Sequence, residues 1–230
     1  HTRHTHTSKT KDDDNRHNNT TNATCADCDA SRLRLSTHDT MYKRVGAYDL
    51  ATPLGSGAFA TVYRAIHRTQ KKVVAGKAVV RARLNAKLAH NLEAEISILQ
   101  KMQHPNIVRL FDVQTTERHV YLVMEFCPGG DLHRLIRTLG PQPEAQARHF
   151  MVQLARGLEY LRSCNLVHRD LKPQNLLLSS LKPTANLMIA DFGFARFLNV
   201  GQQDMAETLC GSPLSMAPEV PQSPRYDRTA

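Results

Sequence analysis

The sequence predicts a bilobal α+β fold, in which a small antiparallel β lobe with one helix is followed by a helical lobe. The first observation is a change of period along the 230 residues. Before residue 126 most apolar segments alternate with a period of two, and after it they recur with the 3.6-residue period of a helix. The second observation is a Pro-Gly-Gly break at Pro128–Gly130, which separates the two patterns.

Five strands are predicted in the first lobe. Three contain alternating β-branched residues and are separated by glycine or polar turns, at Tyr48–Leu54, Ala60–His67 and Lys72–Val80. Two more follow the first helix, at Ile107–Val113 and His119–Phe126. The three consecutive strands joined by short turns are expected to pair antiparallel.

One helix interrupts the strands, and a longer one follows the break. The first is indicated by an apolar stripe with spacings of four, four and three residues: Leu88, Leu92, Ile96 and Leu99. Glu95 falls on or beside this stripe, and a carboxylate that faces the core needs a cationic partner or a raised pKa. The second helix is indicated by Phe150, Leu154, Leu158 and Leu161 and is expected to end at Cys164-Asn165.

The composition divides the chain near residue 40. Residues 1–40 contain no Phe, Tyr, Trp, Val, Ile or Met, so we expect a disordered polar tail. Cys25 and Cys28 form a lone CxxC in this tail, and we assign no metal to it. The remaining domains are predicted at residues 41–126 for the first lobe and 127–230 for the second.

Charge and cysteine usage exclude several classes. The formal net charge is +9, but the basic residues are spread singly without interleaved aromatic residues, so no nucleic-acid partner is predicted. The five cysteines are odd in number and mostly far apart, which favours free thiols in a reducing compartment. Because no apolar run reaches the roughly 18 residues of a spanning helix, we expect a cytoplasmic protein without a transmembrane segment.

A glycine-rich turn lies between the first two predicted strands, and its central residues are Gly55, Ser56 and Gly57. Two explanations are open at this point. The glycines can form a tight hairpin, or they can let backbone N–H groups approach phosphate oxygens. The position between two strands excludes the strand-to-helix turn of a dinucleotide-binding fold.

The third predicted strand carries a lysine that can serve as the cation for Glu95. Strand alternation places Ala75 and Lys77 on one face and Gly76 on the other. A surface lysine is the alternative. The need of Glu95 for a positive partner favours a pair between Lys77 and Glu95.

The most specific segment is Val167–Asn175, with the sequence VHRDLKPQN. The carboxylate of Asp170 can orient a hydroxyl group, and the amide oxygen of Asn175 is a hard ligand that suits magnesium. Asp191 follows at the start of the sequence DFG and offers a second oxygen ligand. A carboxylate that orients a hydroxyl group, together with oxygen ligands for magnesium, suits phosphoryl transfer to that hydroxyl.

Together these segments resemble the protein kinases, over residues 48 to about 220. The turn resembles GxGxxGxV with Ala60 at the third glycine, the lysine strand resembles VAIK, and the chain later reaches an APE sequence at Ala217–Glu219. The resemblance implies ATP- and Mg2+-dependent phosphorylation of serine and threonine hydroxyls on protein substrates. It also implies regulatory or scaffold proteins as partners.

The resemblance implies a role for each matched residue. The catalytic residues would be Asp170 as base, Lys172 on the γ-phosphate, and Lys77, held by Glu95, on the α- and β-phosphates. Asn175 and Asp191 would bind Mg2+. The nucleotide would contact Gly55, Ser56, Gly57, Val62, Ala75, Lys77, Glu125, Cys127, Asp131 and Leu177. In this set Val62 and Leu177 enclose adenine beside Met124, and Asp131 reaches the ribose.

A narrower resemblance is to the autophagy-initiating (ULK-type) kinases. It rests on the sequences FCPGGDL at Phe126–Leu132, DFGFAR at Asp191–Arg196 and ETLCGSP at Glu207–Pro213. Lys172 and Ser212 are typical of the serine/threonine branch. The resemblance implies that Thr208 is an activating phosphorylation site whose phosphate would bind Arg169.

The sequence departs from the kinase pattern in two places. Ser215 stands where the family has a tyrosine that shapes the substrate pocket. The sequence ends at Ala230, whereas the helical lobe of a kinase continues past the corresponding point. The resemblance therefore implies an incomplete helical lobe. The usual arginine partner of Glu219 would also lie beyond Ala230. The alternative hypothesis is therefore a truncated, catalytically inactive nucleotide-binding or interaction module.

Overall fold

We analysed a computed structural model, which describes residues 43–197, 212–216 and 218. All of these belong to the unit Thr40–Ala230. The predicted tail with Cys25 and Cys28, and the predicted phosphorylation site Thr208, lie outside the described residues.

The first lobe is built on a six-stranded antiparallel sheet with the order β1-β2-β3-β4-β6-β5. Its strands are β1 (Lys43–Val45), β2 (Tyr48–Ser56), β3 (Ala60–His67), β4 (Val73–Val80), β5 (Leu110–Thr115) and β6 (His119–Glu125). The predicted α+β class and the predicted sheet lobe are confirmed. The short strand β1 was not predicted.

Helix α1 (Ala86–Lys101) is the one helix between the strands of this sheet. Asn85 begins it as the N-cap, and its side chain accepts a hydrogen bond from the backbone N–H of Leu88. The buried face contains Leu92, Glu95, Ile98 and Leu99, so the apolar stripe is centred slightly differently from the predicted one. Glu95 thus lies within the buried face of the helix.

The second lobe begins with β7 (Gly130–Asp131), α2 (Leu132–Leu139) and the long helix α3 (Glu144–Ser163). Four short strands follow, β8 (Leu166–Val167), β9 (Leu176–Leu178), β10 (Leu187–Ile189) and β11 (Arg196–Phe197). They form two small sheets, β10-β9-β7 and β11-β8. Helix α3 ends where the sequence predicted, with Cys164 as the C-cap.

One strand prediction was wrong at its start. Residues 107–109 do not belong to β5, because the backbone there pairs with the second lobe instead. Val108 N–H donates to Ile189 O at 3.0 Å, and Ile189 N–H donates to Asn106 O at 2.8 Å. This connection between α1 and β5 therefore docks on β10, the strand that leads to Asp191.

The sheet of the first lobe has two faces with separate cores. The inner face packs on α1 and continues into the second lobe, with Val79, Leu92, Ile98 and Leu122 among its buried residues. The outer face has its own cluster, which consists of Val45, Tyr48, Leu50, Ala65, Val74, Ala78, Tyr121 and Val123. Among the described residues, no helix has both the length and the apolar character that crossing a membrane requires.

Candidate active site

Lys77 on β4 forms the centre of a charged cluster on the inner face. Its Nζ lies 2.7 Å from Oε1 of Glu95 on α1 and 3.4 Å from Oδ1 of Asp191. Burial lowers the pKa of Lys77, but the two carboxylates outweigh burial and raise that pKa above its ordinary value. Lys77 is therefore a fixed cation, and Glu95 has the cationic partner that its buried position requires.

Asp170 lies in the loop after β8 and is almost completely buried. Its Oδ1 accepts a hydrogen bond from Ser212 Oγ at 2.7 Å, and its Oδ2 accepts from Lys172 Nζ at 2.8 Å. Asn175 Nδ2 also donates to Oδ2, at 3.0 Å. Burial raises the pKa of Asp170, but the hydrogen bonds from Lys172 and Ser212 and the charge of Lys172 bring that pKa below its ordinary value.

Lys172 and Ser212 are joined to each other as well as to Asp170. Lys172 Nζ donates a hydrogen bond to Ser212 Oγ at 2.7 Å, and the Ser212 hydroxyl in turn donates a hydrogen bond to the carboxylate of Asp170. The carboxylate is consequently ionised, hydrogen-bonded and held in one orientation. The sequence marked Ser212 as typical of the serine/threonine branch, but nothing in the linear order predicted that it would touch Asp170, 42 residues away.

Two backbone distortions place Asp170 and Asp191. Arg169 and Asp191 have φ angles of 67° and 62°, in the left-handed region that ordinary side chains rarely adopt. Arg169 is held there by a hydrogen bond from its Nε to Phe194 O at 2.6 Å. Strained backbone that packing maintains in this way is concentrated at functional sites.

His168 and Phe192 form the packed floor beneath the two aspartates. Both are buried, and their ring centroids lie 5.0 Å apart in an edge-on arrangement. Burial lowers the pKa of His168, so the ring is neutral at pH 7 and hydrogen-bonds through Nε2 with Ala190 O at 3.0 Å. Since Ala190 directly precedes Asp191, this bond ties the loop of Asp170 to the segment that follows β10 and carries Asp191.

The glycine-rich turn joins β2 to β3, as the sequence predicted. Gly55 and Gly57 are not among the described glycines with positive φ, which are Gly46, Gly130 and Gly140. A methyl group added at Gly55 would meet no atom within 4 Å, and one at Gly57 would meet only Ala60 O at 3.8 Å. Neither a positive φ nor close packing therefore requires glycine at these two positions.

A small apolar cluster lies at the connection between the lobes. Cys127 is buried there, with its Sγ 3.5 Å from Met188 Sδ, and Leu177 and Met124 pack on the same cluster. Burial, with a smaller effect of the Glu125 charge, raises the pKa of the Cys127 thiol to about 12. The thiol is therefore protonated and acts as an apolar wall.

Comparison with known proteins agrees with this geometry. A family model described as "Protein kinase domain" matches residues 48–230. The chain belongs to the protein kinase family. This confirms the predicted family and the predicted bilobal fold class.

Individual relatives of this kinase are serine/threonine-protein kinases. ATG1c of Arabidopsis thaliana is 52% identical over 186 residues, which cover 81% of this chain and 25% of that protein. The corresponding atg1 of Dictyostelium discoideum is 48% identical, over 77% of this chain and 27% of its own. ATG1 of Debaryomyces hansenii is 42% identical, over 82% and 26%. The chain thus spans about a quarter of the length of these relatives.

The oxygen donors that a kinase would offer to magnesium are present. Asn175 Nδ2 donates to Asp170 O at 2.8 Å and to Asp170 Oδ2, which directs the nitrogen of the amide inward and leaves the carbonyl oxygen as the ligand atom. Asp191 keeps 47% of its side chain exposed. An amide oxygen and a carboxylate are hard donors that fit Mg2+. The described residues contain no cluster of three or more His, Cys, Asp and Glu residues suited to a metal.

Three nucleotide-site residues predicted from the kinase resemblance have identifiable positions in the structure. Asp131 is the N-cap of α2, and its Oδ1 accepts a hydrogen bond from Arg134 N–H at 2.8 Å. Val62 pairs with Lys77 across β3 and β4, which sets it beside the lysine strand. Ala75 is buried on the same face of β4 as Lys77.

A buried polar pair that the sequence analysis missed connects the two lobes. Asn106 Nδ2 donates to Gln153 Oε1 at 3.1 Å and to Leu187 O at 2.8 Å, and Leu187 N–H donates to Gln153 Oε1 at 3.0 Å. The pair fixes the connection after α1 against helix α3 and strand β10. The pair therefore fixes the connection that follows α1, the helix of Glu95, to β10, the strand that precedes Asp191.

Proposed function

We propose that this chain transfers the γ-phosphoryl group of ATP to serine and threonine hydroxyls on proteins, with Mg2+ as the metal. The observation that carries the proposal is the state of Asp170. It is a buried carboxylate with a lowered pKa, and Ser212 already places a hydroxyl 2.7 Å from its Oδ1. A substrate hydroxyl in that place could donate its proton to the same oxygen.

Each neighbouring side chain supplies one part of the reaction. Lys172 stabilises the negative charge that develops on the transferred phosphoryl group, and its contact with Asp170 keeps it close to the nucleophile. Lys77, held by Glu95, orients the α- and β-phosphates. Asn175 and Asp191 would hold Mg2+, which when bound neutralises phosphate oxygens.

The nucleotide is proposed to occupy the cleft between the glycine-rich turn and the connection between the lobes. Gly55, Ser56 and Gly57 would cover the phosphates with backbone N–H groups. Adenine would lie between Val62 and Leu177 and against Ala75, near the backbone of Glu125 and Cys127. Asp131 would contact the ribose with the carboxylate oxygen that does not cap α2.

The biological setting is a proposal that rests on resemblance. The sequence segments typical of autophagy-initiating kinases and the 52% identity with an ATG1 kinase support a role in autophagy initiation in the cytoplasm. Protein substrates and regulatory or scaffold partners follow from the same reasoning. The lobe boundaries, at residues 41–126 and 127–230, are part of this proposal.

The experiment compares nucleotide binding with phosphoryl transfer on the 230-residue chain. Transfer of radiolabelled phosphate from Mg-ATP to a generic basic protein is expected, and Asp170→Asn is expected to reduce it by about 10²- to 10⁴-fold. Glu159→Gln on the exposed side of α3 is the matched control and should retain the transfer rate.

Thermal unfolding, combined with the transfer assay, distinguishes an active kinase from the alternative of a catalytically inactive nucleotide-binding module. Mg-ATP at a hundredfold excess over its dissociation constant should stabilise both the wild type and Asp170→Asn by about 2.7 kcal/mol. Stabilisation without transfer by the wild type would indicate a nucleotide-binding module. The absence of both would contradict the proposed site itself.

A further inference from the structure

The net charge of the chain is concentrated on the first lobe. Residues 43–126 contain 13 Lys and Arg against 6 Asp and Glu, a net charge of +7. Residues 127–230 contain 11 against 9, a net charge of +2. Most of the +9 thus belongs to a lobe of 84 residues, which is an asymmetry that points to an anionic partner.

The first group of cations lies around Phe111 on the outer face of the sheet. Lys72 Nζ is 3.6 Å from the centroid of this ring, and Arg109 Cζ is 5.8 Å from it. Arg68 and Lys71 belong to the turn between β3 and β4 that carries Lys72, and all four basic residues are exposed. The ring holds the two nearest cations in place, which reduces the entropy that they would lose on binding a partner.

The second group lies around Tyr121, which belongs to the same outer cluster against which Phe111 packs. Lys43 Nζ is 5.6 Å from the Tyr121 centroid, and His119 stacks on this ring at 5.5 Å. Burial, followed by the charges of Lys43 and Arg118, lowers the pKa of His119. The charges of Lys43 and Arg118 therefore both act on the surface around His119 and Tyr121. We call the six exposed cations of the two groups the cationic face: Lys43, Arg68, Lys71, Lys72, Arg109 and Arg118.

The carboxylates near the cationic face do not pair with its cations. Among the described residues, no Asp or Glu oxygen lies within 4 Å of the charged nitrogen of any of the six. Asp49 pairs with Arg44 at 3.7 Å, and Asp112 accepts hydrogen bonds from Val113 N–H and Gln114 Nε2, both at 2.8 Å. Glu117 and Glu125, next to the face, remove part of its net charge but form none of these pairs.

We propose that the cationic face binds an anionic membrane surface. The cations lie on β1 and on the segments that join or precede β3, β4, β5 and β6, so they are spread along one side of the sheet, which suits a planar partner with many negative groups. The large exposed apolar side chains of the described first lobe, Leu54 and Phe59, flank the glycine-rich turn instead. The attraction is therefore electrostatic, without an inserted apolar anchor.

Strand alternation gives this arrangement a functional consequence. Lys77 and Ala75 point to the inner face of β4, whereas Val74 and Ala78 belong to the outer cluster. A membrane on the outer face would leave the cleft of the candidate active site uncovered. The inference does not depend on the proposed phosphoryl transfer, because binding can be measured without ATP.

The experiment measures co-sedimentation of the 230-residue chain with phosphatidylcholine vesicles that contain 0 or 30% phosphatidylserine. The double variant Lys72→Gln/Arg109→Gln removes two cations of the face. The matched control Arg148→Gln/Arg156→Gln removes two exposed cations of α3 in the second lobe. Circular dichroism and thermal unfolding confirm that each variant is folded.

Binding to the anionic vesicles alone is expected, weakening as salt rises from 50 to 300 mM. Each basic residue near such a surface contributes about 1 kcal/mol, so the face variant should lose roughly thirtyfold in partition coefficient and the control much less. The proposal is overturned if wild type does not bind at 50 mM salt, or if both variants lose affinity equally. It is also overturned if soluble polyglutamate binds the chain while vesicles do not, since the partner would then be an acidic protein.

Discussion

The buried pair of Lys77 and Glu95 offers the sharpest test of the site, through the substitution Glu95→Gln. The side chain keeps its shape and an oxygen that can accept a hydrogen bond, but it loses its charge. Lys77 then remains buried with one carboxylate, Asp191, whose oxygen is 3.4 Å away instead of the 2.7 Å of Glu95. The change in the free energy of unfolding caused by Glu95→Gln therefore measures the electrostatic contribution of the Lys77–Glu95 pair.

The magnitude follows from the burial of the two groups. Removing one partner of a buried ion pair costs about 3–5 kcal/mol, because a charge is left uncompensated. Asp191 compensates part of the Lys77 charge, and the side chain of Lys77 is 19% exposed, so we expect a loss of about 2–3 kcal/mol. For a chain of this size that loss corresponds to roughly 4–12 °C in Tm.

The assay is urea unfolding of wild type, Glu95→Gln, Lys77→Met and the double variant. The double variant should be more stable than the sum of the single effects predicts, because both buried charges of the Lys77–Glu95 pair are removed together, and the coupling should be at least about 1 kcal/mol. Additive effects within about 0.5 kcal/mol would refute the reasoning. Exposed Glu93, on the same helix, is the control position, and Glu93→Gln should change stability by less than about 0.5 kcal/mol.

The pH dependence of the same pair has a defined sign. The pKa of Lys77 in the folded state is raised above 10.5, so its contribution to stability is fully present below that pH. The contribution is lost as the pH rises through the folded-state pKa. The stability difference between wild type and Glu95→Gln should therefore stay constant from pH 7 to 9 and narrow above about 10.5.

Three further outcomes are expected. Gln153→Met leaves a backbone N–H of β10 and the inter-lobe pair without their acceptor, so it should cost about 1–3 kcal/mol in urea unfolding; an unchanged midpoint would contradict the role of the pair. Because the pKa of Cys127 is about 12, iodoacetamide at pH 8 should label it far more slowly than half-buried Cys164 in peptide mass spectrometry, and equal rates would contradict a protonated thiol. Arg169 Nη1 is buried without a hydrogen-bond partner among the described residues, so a phosphate on Thr208 should raise the transfer rate; phosphatase treatment should lower activity in wild type and leave Thr208→Ala unchanged.

Much of the fold and the short-range part of the site were predictable because local chemistry determines them. The bounds of β3, Ala60–His67, were predicted to the residue, and the Cys164 end of α3 followed from its apolar stripe. The position of Glu95 on the helix was enough to predict its need for a cation. That inference used only the helical period of the apolar residues and the free-energy cost of burying a carboxylate.

The contacts between distant segments could not be predicted in this way. Gln153 stands beside the apolar stripe of α3, and the same pattern would fit a half-exposed side chain at the edge of a helix. Its partners are Asn106, which directly precedes the segment Ile107–Val113 that we expected to be a strand, and a backbone group of β10. The one signal available was that a glutamine between Phe150 and Gly157 lies close to the buried face, where it must find a partner.

The cationic face shows why the distribution of charge in the linear sequence was an incomplete guide. A search for runs of like charge suits helices and disordered tails, in which neighbours in sequence are neighbours in space. In an antiparallel sheet, neighbouring strands bring the turns and connections at their ends together, so cations that are far apart in the chain can meet on one face. Lys72 and Arg109 are 37 positions apart, yet both lie within 6 Å of the Phe111 ring. The charge of a β lobe therefore has to be summed over each face of the sheet and not along the chain. When it is summed in this way, an anionic partner is expected to bind to the outer face.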